Sequence, residues 1–350
     1  MSGIAITPRS AADDDELFRL YRAVFGEALA ESSRRRWRWQ YQDNPATAPG
    51  GPEIWVARDG STLLGQYASM PVHLRWGERE VRSSWGMDVF LSPAARGRGV
   101  GAQLFTAWSD HVEVALGLGL TTSSYGLFQK LRYADVGPVP FYYRILDPCA
   151  VAARRLGPKW TGMAGRLLDI GWRVRHPERR RPAADVALTP VTRFDARYDA
   201  LWERAGASYA MCVRRDAAYL DWKYVECPHR RYDIVEATRG GALAGFAVSR
   251  HEEHRGLRLG WIVDLFAPAE DHVVRDALVG HVLDGFRGAG VARAQAFSMN
   301  AAVGADLAHR GFRRGHSPMQ FCARARVPSD AVFAATDRWH VMFGDSDMDR

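Results

Sequence analysis

Four short sequence patterns occur twice in this chain, in the same order and with a nearly constant separation of about 180 residues. One of them, Trp-x-Tyr-x-x-x-Pro, ends an arginine-rich stretch in each half. Collinear matches at a constant offset indicate two copies of one folding unit. The paired segments are residues 39–45 and 222–228, 64–68 and 244–248, 85–90 and 261–266, and 128–133 and 307–312.

Each copy reads as helices, then alternating strands, then a strand–helix–strand unit. This element order predicts an α/β (α+β layered) domain with a mixed, mainly antiparallel sheet flanked by helices. In the first copy we expect strands at 84–92 and 118–122, helices at 99–116 and 124–131, and a closing strand through Phe141 to Arg144.

The repeat predicts a division of the chain into four parts. Two domains are expected, and a basic amphipathic linker helix is expected between them. A tail follows the second domain. The boundaries are 1–147 for the first domain, 148–185 for the linker, 186–327 for the second domain and 328–350 for the tail.

A basic, glycine-rich turn separates a strand from a helix in the first copy. Glycines let backbone N–H groups approach an anion, the helix start contributes its positive dipole end, and arginines add charge. The dinucleotide fingerprint Gly-x-Gly-x-x-Ala is also satisfied, but residues 118–122 lack the acidic residue that it requires. The glycines, the helix start and the arginines together predict that this turn binds a pyrophosphate. The turn reads Arg96-Gly97-Arg98-Gly99-Val100-Gly101-Ala102.

This turn resembles motif A of the GNAT (GCN5-related N-acetyltransferase) superfamily, Arg/Gln-x-x-Gly-x-Gly/Ala, and residues 88–93 precede it at the family's spacing. The resemblance implies a tandem GNAT fold in which strands four and five splay apart around the pantetheine arm of acetyl-CoA. It implies that residues 96–102 hold the CoA pyrophosphate and that Ser124 contacts the pantetheine. It also implies an oxyanion donor among the strand-four amides of Val89, Phe90 and Leu91.

Acetyl transfer to an amine requires a base for the ammonium proton and an acid for the leaving thiolate. Asp88 is the candidate base, directly or through water. Because Asp264 holds the matching place in the second copy, a structural role for Asp88 stays open. The family's usual acid is a tyrosine, but Phe128 stands at its position. Tyr125, one turn earlier on the same helix face, is the candidate acid, with helix packing as the alternative.

The second copy departs from the family pattern at the turn. It lacks Arg-x-x-Gly-x-Gly, and Glu270 and Asp271 stand where a pyrophosphate would bind. Like charges repel, so we expect this copy to bind no acyl-CoA. It would support the first copy or bind the acceptor.

The net charge of +7 is concentrated in the linker, where residues 151–185 hold nine basic and three acidic side chains. Apolar residues at helical spacing predict an amphipathic helix at 160–175, which packs between the domains or lies on an anionic membrane surface or RNA. We expect no nucleic-acid partner.

The chain has no apolar run of about 20 residues and no signal-peptide pattern, and its four cysteines are scattered. These features predict a cytoplasmic protein without a metal site.

Together these observations predict an acyl-CoA-dependent N-acyltransferase. It would move an acetyl group directly from acetyl-CoA, its co-substrate, to an amine on a small molecule or an amino sugar. Two alternatives stay open. One is a relative of the FemX-type aminoacyl transferases, which also carry two GNAT-like domains. The other is a non-catalytic acyl-CoA-binding protein, which the missing motif tyrosine favours.

Overall fold

A computed structural model describes residues 3–157, 167, 170–171, 185–327 and 333–349. The helix predicted at 160–175 lies outside the described residues apart from positions 167, 170 and 171, so it stays a prediction. No helix in the described part of the chain has both the length and the apolar character needed to span a bilayer.

The first half begins with a strand and two helices and continues into a sheet of long antiparallel strands. The helix predicted at 99–116 ends at Ser109, and the strand expected at 118–122 lies four residues earlier. The predicted helix was too long because the apolar residues Val112 and Ala115 continue its helical spacing. Both are buried, but they lie after the helix, Val112 in the connection and Ala115 in β5. The elements are β1 Ile4–Pro8, α1 Asp14–Phe25, α2 Glu27–Tyr41, β2 Ile54–Asp59, β3 Thr62–Trp76, β4 Arg79–Leu91, α3 Val100–Ser109, β5 Val114–Leu118, α4 Thr122–Lys130, β6 Ala134–Pro138, β7 Phe141–Ile145 and α5 Pro148–Leu156.

The second half repeats this order after the linker. In the second half, the element that corresponds to α2 is a short helix, which continues as a π-helical turn over Asp221–Val225. The elements are β8 Val186–Val191, α6 Ala196–Gly206, β9 Met211–Val213, α7 Ala217–Leu220, β10 Asp233–Arg239, β11 Ala242–His254, β12 Leu257–Phe266, α8 His272–Gly288, β13 Arg293–Phe297, α9 Ala301–His309, β14 Arg313–Gly315, β15 Gln320–Ala325 and β16 Trp339–His340.

The two halves exchange strands, because β7 lies in the second sheet and β15 lies in the first. The first sheet has the order β1-β2-β3-β4-β5-β15-β6, and in addition β9 pairs with β3 and β16 pairs with β9. The second sheet has the order β14-β7-β13-β12-β11-β10-β8. The expectation that Phe141 to Arg144 closes the sheet of its own half is therefore wrong. This strand pairs with β13 and β14 instead. Its side chains suit that place, because the ring of Phe141 packs 4.9 Å from that of Phe297.

Both sheets are mainly antiparallel. Each contains a short parallel pair next to its centre, β4 with β5 in the first sheet and β12 with β13 in the second, and β9 and β16 form a further parallel pair in the first sheet. In the first sheet, β4 and β5 pair only over Ser83–Trp85 and Val114–Leu116. Beyond Trp85 the described residues of these two strands form no further pairs, so the strands part. This is the splay that the family resemblance implies, and it opens beside the glycine-rich turn.

The two Trp-x-Tyr patterns meet at the centre of the molecule. Trp39 and Trp222 stack with 5.1 Å between ring centroids and an interplanar angle of 21°. Each indole N–H donates to the backbone carbonyl of the other tryptophan, both at 2.7 Å. Reciprocal contacts of equal length are the mark of a twofold relationship. The two copies predicted from sequence thus face each other across an approximate twofold axis.

Candidate functional site

The glycine-rich turn has the geometry of an anion site. A 3₁₀ turn over Pro93–Ala95 follows β4, and α3 begins at Val100. Gly97 and Gly99 both have φ of +74°, a conformation that side chains disfavour. A Cβ atom at either glycine would meet nothing within 4 Å, so backbone conformation and not packing requires glycine here. The first amides of α3 lack partners within the helix and point toward this open space.

The two arginines of the turn differ in their surroundings. The Arg98 guanidinium donates to the Asp59 carboxylate at 2.6 Å. Arg96 is exposed. Because Asp59 neutralises part of the charge on Arg98, Arg96 and the α3 dipole supply most of the positive potential at the turn.

Helix α3 is fixed to the sheet, so the turn is held firmly in place. Leu104, Phe105 and Trp108 on its inner face are buried. The Trp108 indole N–H donates to Ser84 Oγ on β4 at 2.7 Å. This contact ties the helix directly to the strand that precedes the turn.

A β-bulge lies on β4 at the point where the resemblance places the oxyanion donor. Phe90 pairs with Gln66 and Met87 pairs with Ala68, so Asp88 and Val89 together oppose Tyr67. Asp88 has a φ of +42°, which accommodates the extra residue. A bulge takes a backbone amide out of the ladder. Of the three predicted donors, Val89 therefore lies in the bulge itself.

Phe90 and Leu91 continue β4 beyond the bulge and have packing roles. The Phe90 ring is buried and lies edge-to-face on Tyr21 of α1 at 5.1 Å. The Leu91 side chain approaches Gly101, since a Cβ on that glycine would lie 3.6 Å from Leu91 Cδ1. These contacts join β4 to the helices on both sides of it.

Asp88 is half-buried and is held by the Trp-x-Tyr element. The Tyr41 hydroxyl donates to Asp88 Oδ2 at 2.7 Å, and Gln66 Nε2 donates to the Asp88 carbonyl at 3.2 Å. Burial raises the pKa of Tyr41 well above its ordinary value, and the charge of Asp88 adds to the shift. Tyr41 therefore stays protonated and orients the carboxylate.

Asp88 lines a narrow cleft between α1, α2, β3 and β4. Sequence reasoning missed this cleft, because its walls come from four separate elements. The spacing of Ser33, Trp37 and Tyr41 at i, i+4, i+8 was the available signal, since such residues share one helix face. The lining residues are Asp14, Leu17, Phe18, Tyr21, Ser33, Trp37, Tyr41, Gln66, Asp88 and Phe90.

Ser124 and Tyr125 lie in the first turn of α4. The Ser124 amide donates to Thr121 Oγ1 at 3.2 Å, which caps the helix. The Tyr125 hydroxyl donates to Asp135 Oδ2 at 2.5 Å. This hydrogen bond raises the pKa of Tyr125 to about 12. Asp135 also accepts a hydrogen bond from Gln320 of the exchanged strand β15.

Phe128, which stands where the family has its tyrosine, is part of the core. Its ring packs 4.5 Å from Tyr133 and 5.1 Å from Phe105. A Cβ on Gly117 would lie 2.4 Å from the Phe128 ring, so the ring rests directly on the β5 backbone. The position is closed to solvent.

The second copy has the same Tyr–Asp pair in a sealed environment. The Tyr224 hydroxyl donates to Asp264 Oδ2 at 3.0 Å. Arg215 bridges Asp264 at 3.1 Å and Asp345 at 2.9 Å, and all three charged side chains are at most 1% exposed. Asp264 is therefore a structural residue with no access to a ligand.

The tail occupies the gap between β12 and β13 that corresponds to the splay in the first sheet. The Met299 amide donates to the Val341 carbonyl at 2.9 Å. The Phe343 ring stacks on Trp261 at 4.7 Å and on Phe297 at 5.4 Å. Asp271 caps α8 with its own side chain, at the place of the pyrophosphate turn. These contacts favour the prediction that the second copy binds no acyl-CoA.

Comparison with known sequences identifies a domain in the first half of the chain. Residues 6–127 match the family model described as an acetyltransferase (GNAT) domain. This segment, about a third of the chain, is similar to the GNAT family. No curated protein sequence matches the chain significantly. The matched segment contains α1, α2, the bulge and the glycine-rich turn, so it includes most of the candidate site.

Solved structures of other proteins share the fold of nearly the whole chain. A GCN5-related N-acetyltransferase from Anabaena variabilis is 13% identical with a TM-score of 0.63, and the match covers 92% of this chain and 73% of that one. Eis1 from Mycobacterium abscessus is 17% identical with a TM-score of 0.55, covering 92% and 73%. Saccharomyces cerevisiae N-myristoyltransferase with bound myristoyl-CoA is 12% identical with a TM-score of 0.55, covering 92% and 83%. The predicted fold class is confirmed.

Proposed function

We propose that this protein is an acyl-CoA-dependent N-acyltransferase, and that its first half moves an acetyl group from acetyl-CoA directly to an amine. One observation carries the proposal. The glycine-rich turn 96–102 and the Asp88 carboxylate lie on the same strand–turn–helix unit, and both come after Trp85, the last residue of β4 that pairs with β5. A candidate phosphate site and a candidate base thus lie on the part of the chain that leaves β5.

The residues of the first copy suit acetyl-CoA. Arg96 and the amides at the start of α3 would hold the pyrophosphate. The gap between β4 and β5 would receive the pantetheine arm, with Ser124 nearby on α4. Acetyl-CoA supplies the acetyl group as a thioester when it is bound.

Asp88 is proposed to accept the proton of the acceptor ammonium, directly or through water. The amine nitrogen then forms a bond to the acetyl carbon and gives up a second proton to water, the carbon–sulfur bond breaks, and the thiolate leaves with the electron pair of that bond. Tyr41 keeps the Asp88 carboxylate oriented during this exchange through its hydrogen bond. The thiolate finally takes up one proton.

Tyr125 is proposed to stabilise the leaving thiolate by donating a hydrogen bond to it. While it donates to Asp135, its pKa is raised to about 12, so the hydroxyl is protonated at neutral pH. Water is proposed to supply the proton that the thiolate takes up. A hydroxyl carries a single proton, so Tyr125 must break its bond to Asp135 to act.

The buried position of Phe128 favours a second candidate, a non-catalytic acyl-CoA-binding protein. The usual acid is missing there, and the core admits no substitute at that position. The oriented and half-buried Asp88 favours the enzyme. Turnover with any amine decides between the two.

Titration calorimetry with acetyl-CoA tests the binding site. We expect one site per chain and loss of binding in Gly99→Glu, which puts a carboxylate where the phosphate binds. Gly256→Glu is the matched control, because Gly256 has a φ of +77° and equally open surroundings in a distant hairpin. Two sites per chain, or equal affinity in both variants, would contradict the proposal.

A further inference from the structure

We propose that Met348, in the C-terminal tail, forms a wall of the site for the acyl group and restricts that site to short acyl chains such as acetyl. This inference rests on the N-acyltransferase function proposed above, and it names a residue that selects the donor substrate. It follows from the place to which the tail brings the Met348 side chain.

Residues of the second copy hold the tail on both sides of Met348. Before it, Lys223 Nζ in the π-helical turn donates to the Ser346 carbonyl at 2.8 Å, and Lys223 is only 4% exposed. After it, Arg250 Nε on β11 donates to Asp349 Oδ1 at 2.6 Å, and both of these side chains are buried. The position of Met348 is therefore fixed by contacts that lie outside the first copy.

The Met348 side chain lies directly on the backbone of Gly119, the first residue after β5. A Cβ atom on Gly119 would overlap Met348 Sδ and lie 2.5 Å from its Cε, so the thioether fills the space beside this glycine. Met348 is half-buried and packs against the core cluster that includes Met87 on β4 and Leu118 on β5. The tail thus crosses from the second copy to the end of β5 in the first.

Gly119 lies across the gap from the candidate base. The parallel strands β4 and β5 pair over Ser83–Trp85 and Val114–Leu116 before they part. The same offset, continued along both strands, brings Gly119 level with Asp88. In the proposed reaction Asp88 accepts the proton of the amine that attacks the acyl group, so the acyl group must lie within reach of Asp88. Met348 therefore lies on the side of the gap that faces the acyl group.

The residue next to Met348 also lies near this site. Burial is the main reason that the pKa of Tyr41 is raised, and the charges of Asp88 and Asp347 both add to the shift. Tyr41 is the residue that donates to the Asp88 carboxylate. The tail therefore approaches the Tyr41–Asp88 pair as well as Gly119.

A thioether in this place favours a short acyl group. Additional methylenes on the acyl chain would need the space that Met348 now fills, and the anchored tail opposes its withdrawal. Forcing extra methylenes into a filled apolar site is unfavourable. One methylene too many in an apolar pocket lowers binding by roughly 10- to 200-fold. The second copy, which supplies the anchors, thereby takes part in the choice of donor.

Titration calorimetry with acetyl-CoA and butyryl-CoA tests the inference without any acceptor. We expect the wild type to bind acetyl-CoA at least about 10-fold more tightly than butyryl-CoA, which carries two further methylenes. Met348→Ala should raise the affinity for butyryl-CoA about 10-fold and leave that for acetyl-CoA nearly unchanged, because the vacated space buries the two methylenes. Met342→Ala is the matched control, since this methionine of the same tail lies in the core of the second copy. It should lower Tm without changing the affinity ratio.

Thermal unfolding without a ligand tests the contact itself. Gly119→Ala should lower Tm more in the wild type than in Met348→Ala, where the added Cβ meets no thioether. Gly119 has a φ of +66°, but the resulting strain is present in both backgrounds and cancels in the comparison. Equal effects in the two backgrounds would show that Met348 does not lie on Gly119 and would overturn the inference.

The outcomes separate this inference from the function on which it rests. Equal wild-type affinities for the two acyl-CoA compounds, or a ratio that Met348→Ala leaves unchanged, would overturn the inference while acetylation of an amine upheld the function. Binding of neither compound would overturn both. The expected ratios without acetylation of any amine would overturn the function and support Met348 as the wall of an acyl-CoA-binding site.

Discussion

Asp88 and Asp264 occupy the same place in the two copies and each accepts a hydrogen bond from a tyrosine, so they form a natural pair for mutation. We expect Asp88→Asn to lower kcat by roughly 10²- to 10⁴-fold, the range for losing general acid–base help. The free energy of unfolding of Asp88→Asn should differ from that of the wild type by less than about 1 kcal/mol. Asparagine tolerates the positive φ of this position and still accepts the Tyr41 hydrogen bond.

Asp264→Asn should behave in the opposite way. Asp264 Oδ1 accepts from Arg215 and from the Leu265 amide, and Oδ2 accepts from Arg215 and from Tyr224. Replacing either oxygen by an NH₂ group sets two donors against each other in a buried site. The cost is about 1–3 kcal/mol of unfolding free energy, which lowers Tm by several degrees, while kcat is retained.

Both variants are measured on the same preparations, by steady-state release of thiol from acetyl-CoA and by thermal unfolding. Acetyl-CoA affinity, measured by calorimetry, should match the wild type in both. If Asp88→Asn lowers Tm and keeps full kcat, Asp88 serves the fold as Asp264 does. The base would then be bound water.

Four further predictions concern the turn, the core and the exchanged strands. Arg96→Ala should weaken acetyl-CoA binding more than Arg98→Ala in calorimetry, because Asp59 already pairs with Arg98. Phe128→Tyr should lower Tm and leave turnover no higher, since its hydroxyl would enter a packed core. Asp135→Asn removes the carboxylate that raises the pKa of Tyr125 to about 12, so any alkaline limb of the kcat profile due to Tyr125 should move to lower pH and be absent in Tyr125→Phe. Scanning calorimetry should give a single unfolding transition, because each half contributes a strand to the other's sheet, and two separate transitions would contradict this.

Local features of the fold and site were predictable from sequence. The glycine at position 99 marks the start of α3 because glycine readily adopts the left-handed conformation needed before Val100. The repeated Trp-x-Tyr pattern predicts two copies, and its two tryptophans contact each other reciprocally. At Gly99 the physical cause lies beside the signal, at the first residue of α3.

Long-range features were not predictable in the same way. The aromatic residues at 141–143 favour a strand but do not identify its partner, since strands of both sheets are available to pair with it. The tail segment around Phe343 is too short to show a periodicity, yet it fills the gap between β12 and β13. The ring walls of the cleft come from separate helices and strands, and only the folded chain brings Phe18 near Trp37.

During synthesis, the ribosome releases the glycine-rich turn long before the strand that completes its sheet. Strands β5 and β6 both end by Pro138, but their shared neighbour β15 begins only at Gln320. Because the chain is synthesised at roughly 5–20 residues per second, β5 and β6 keep an unpaired edge for several seconds or more. Exposed edges invite pairing with other chains. Nascent or prematurely ended chains that stop before β15 are therefore expected to need chaperones, or to complete the sheet with a strand from another copy.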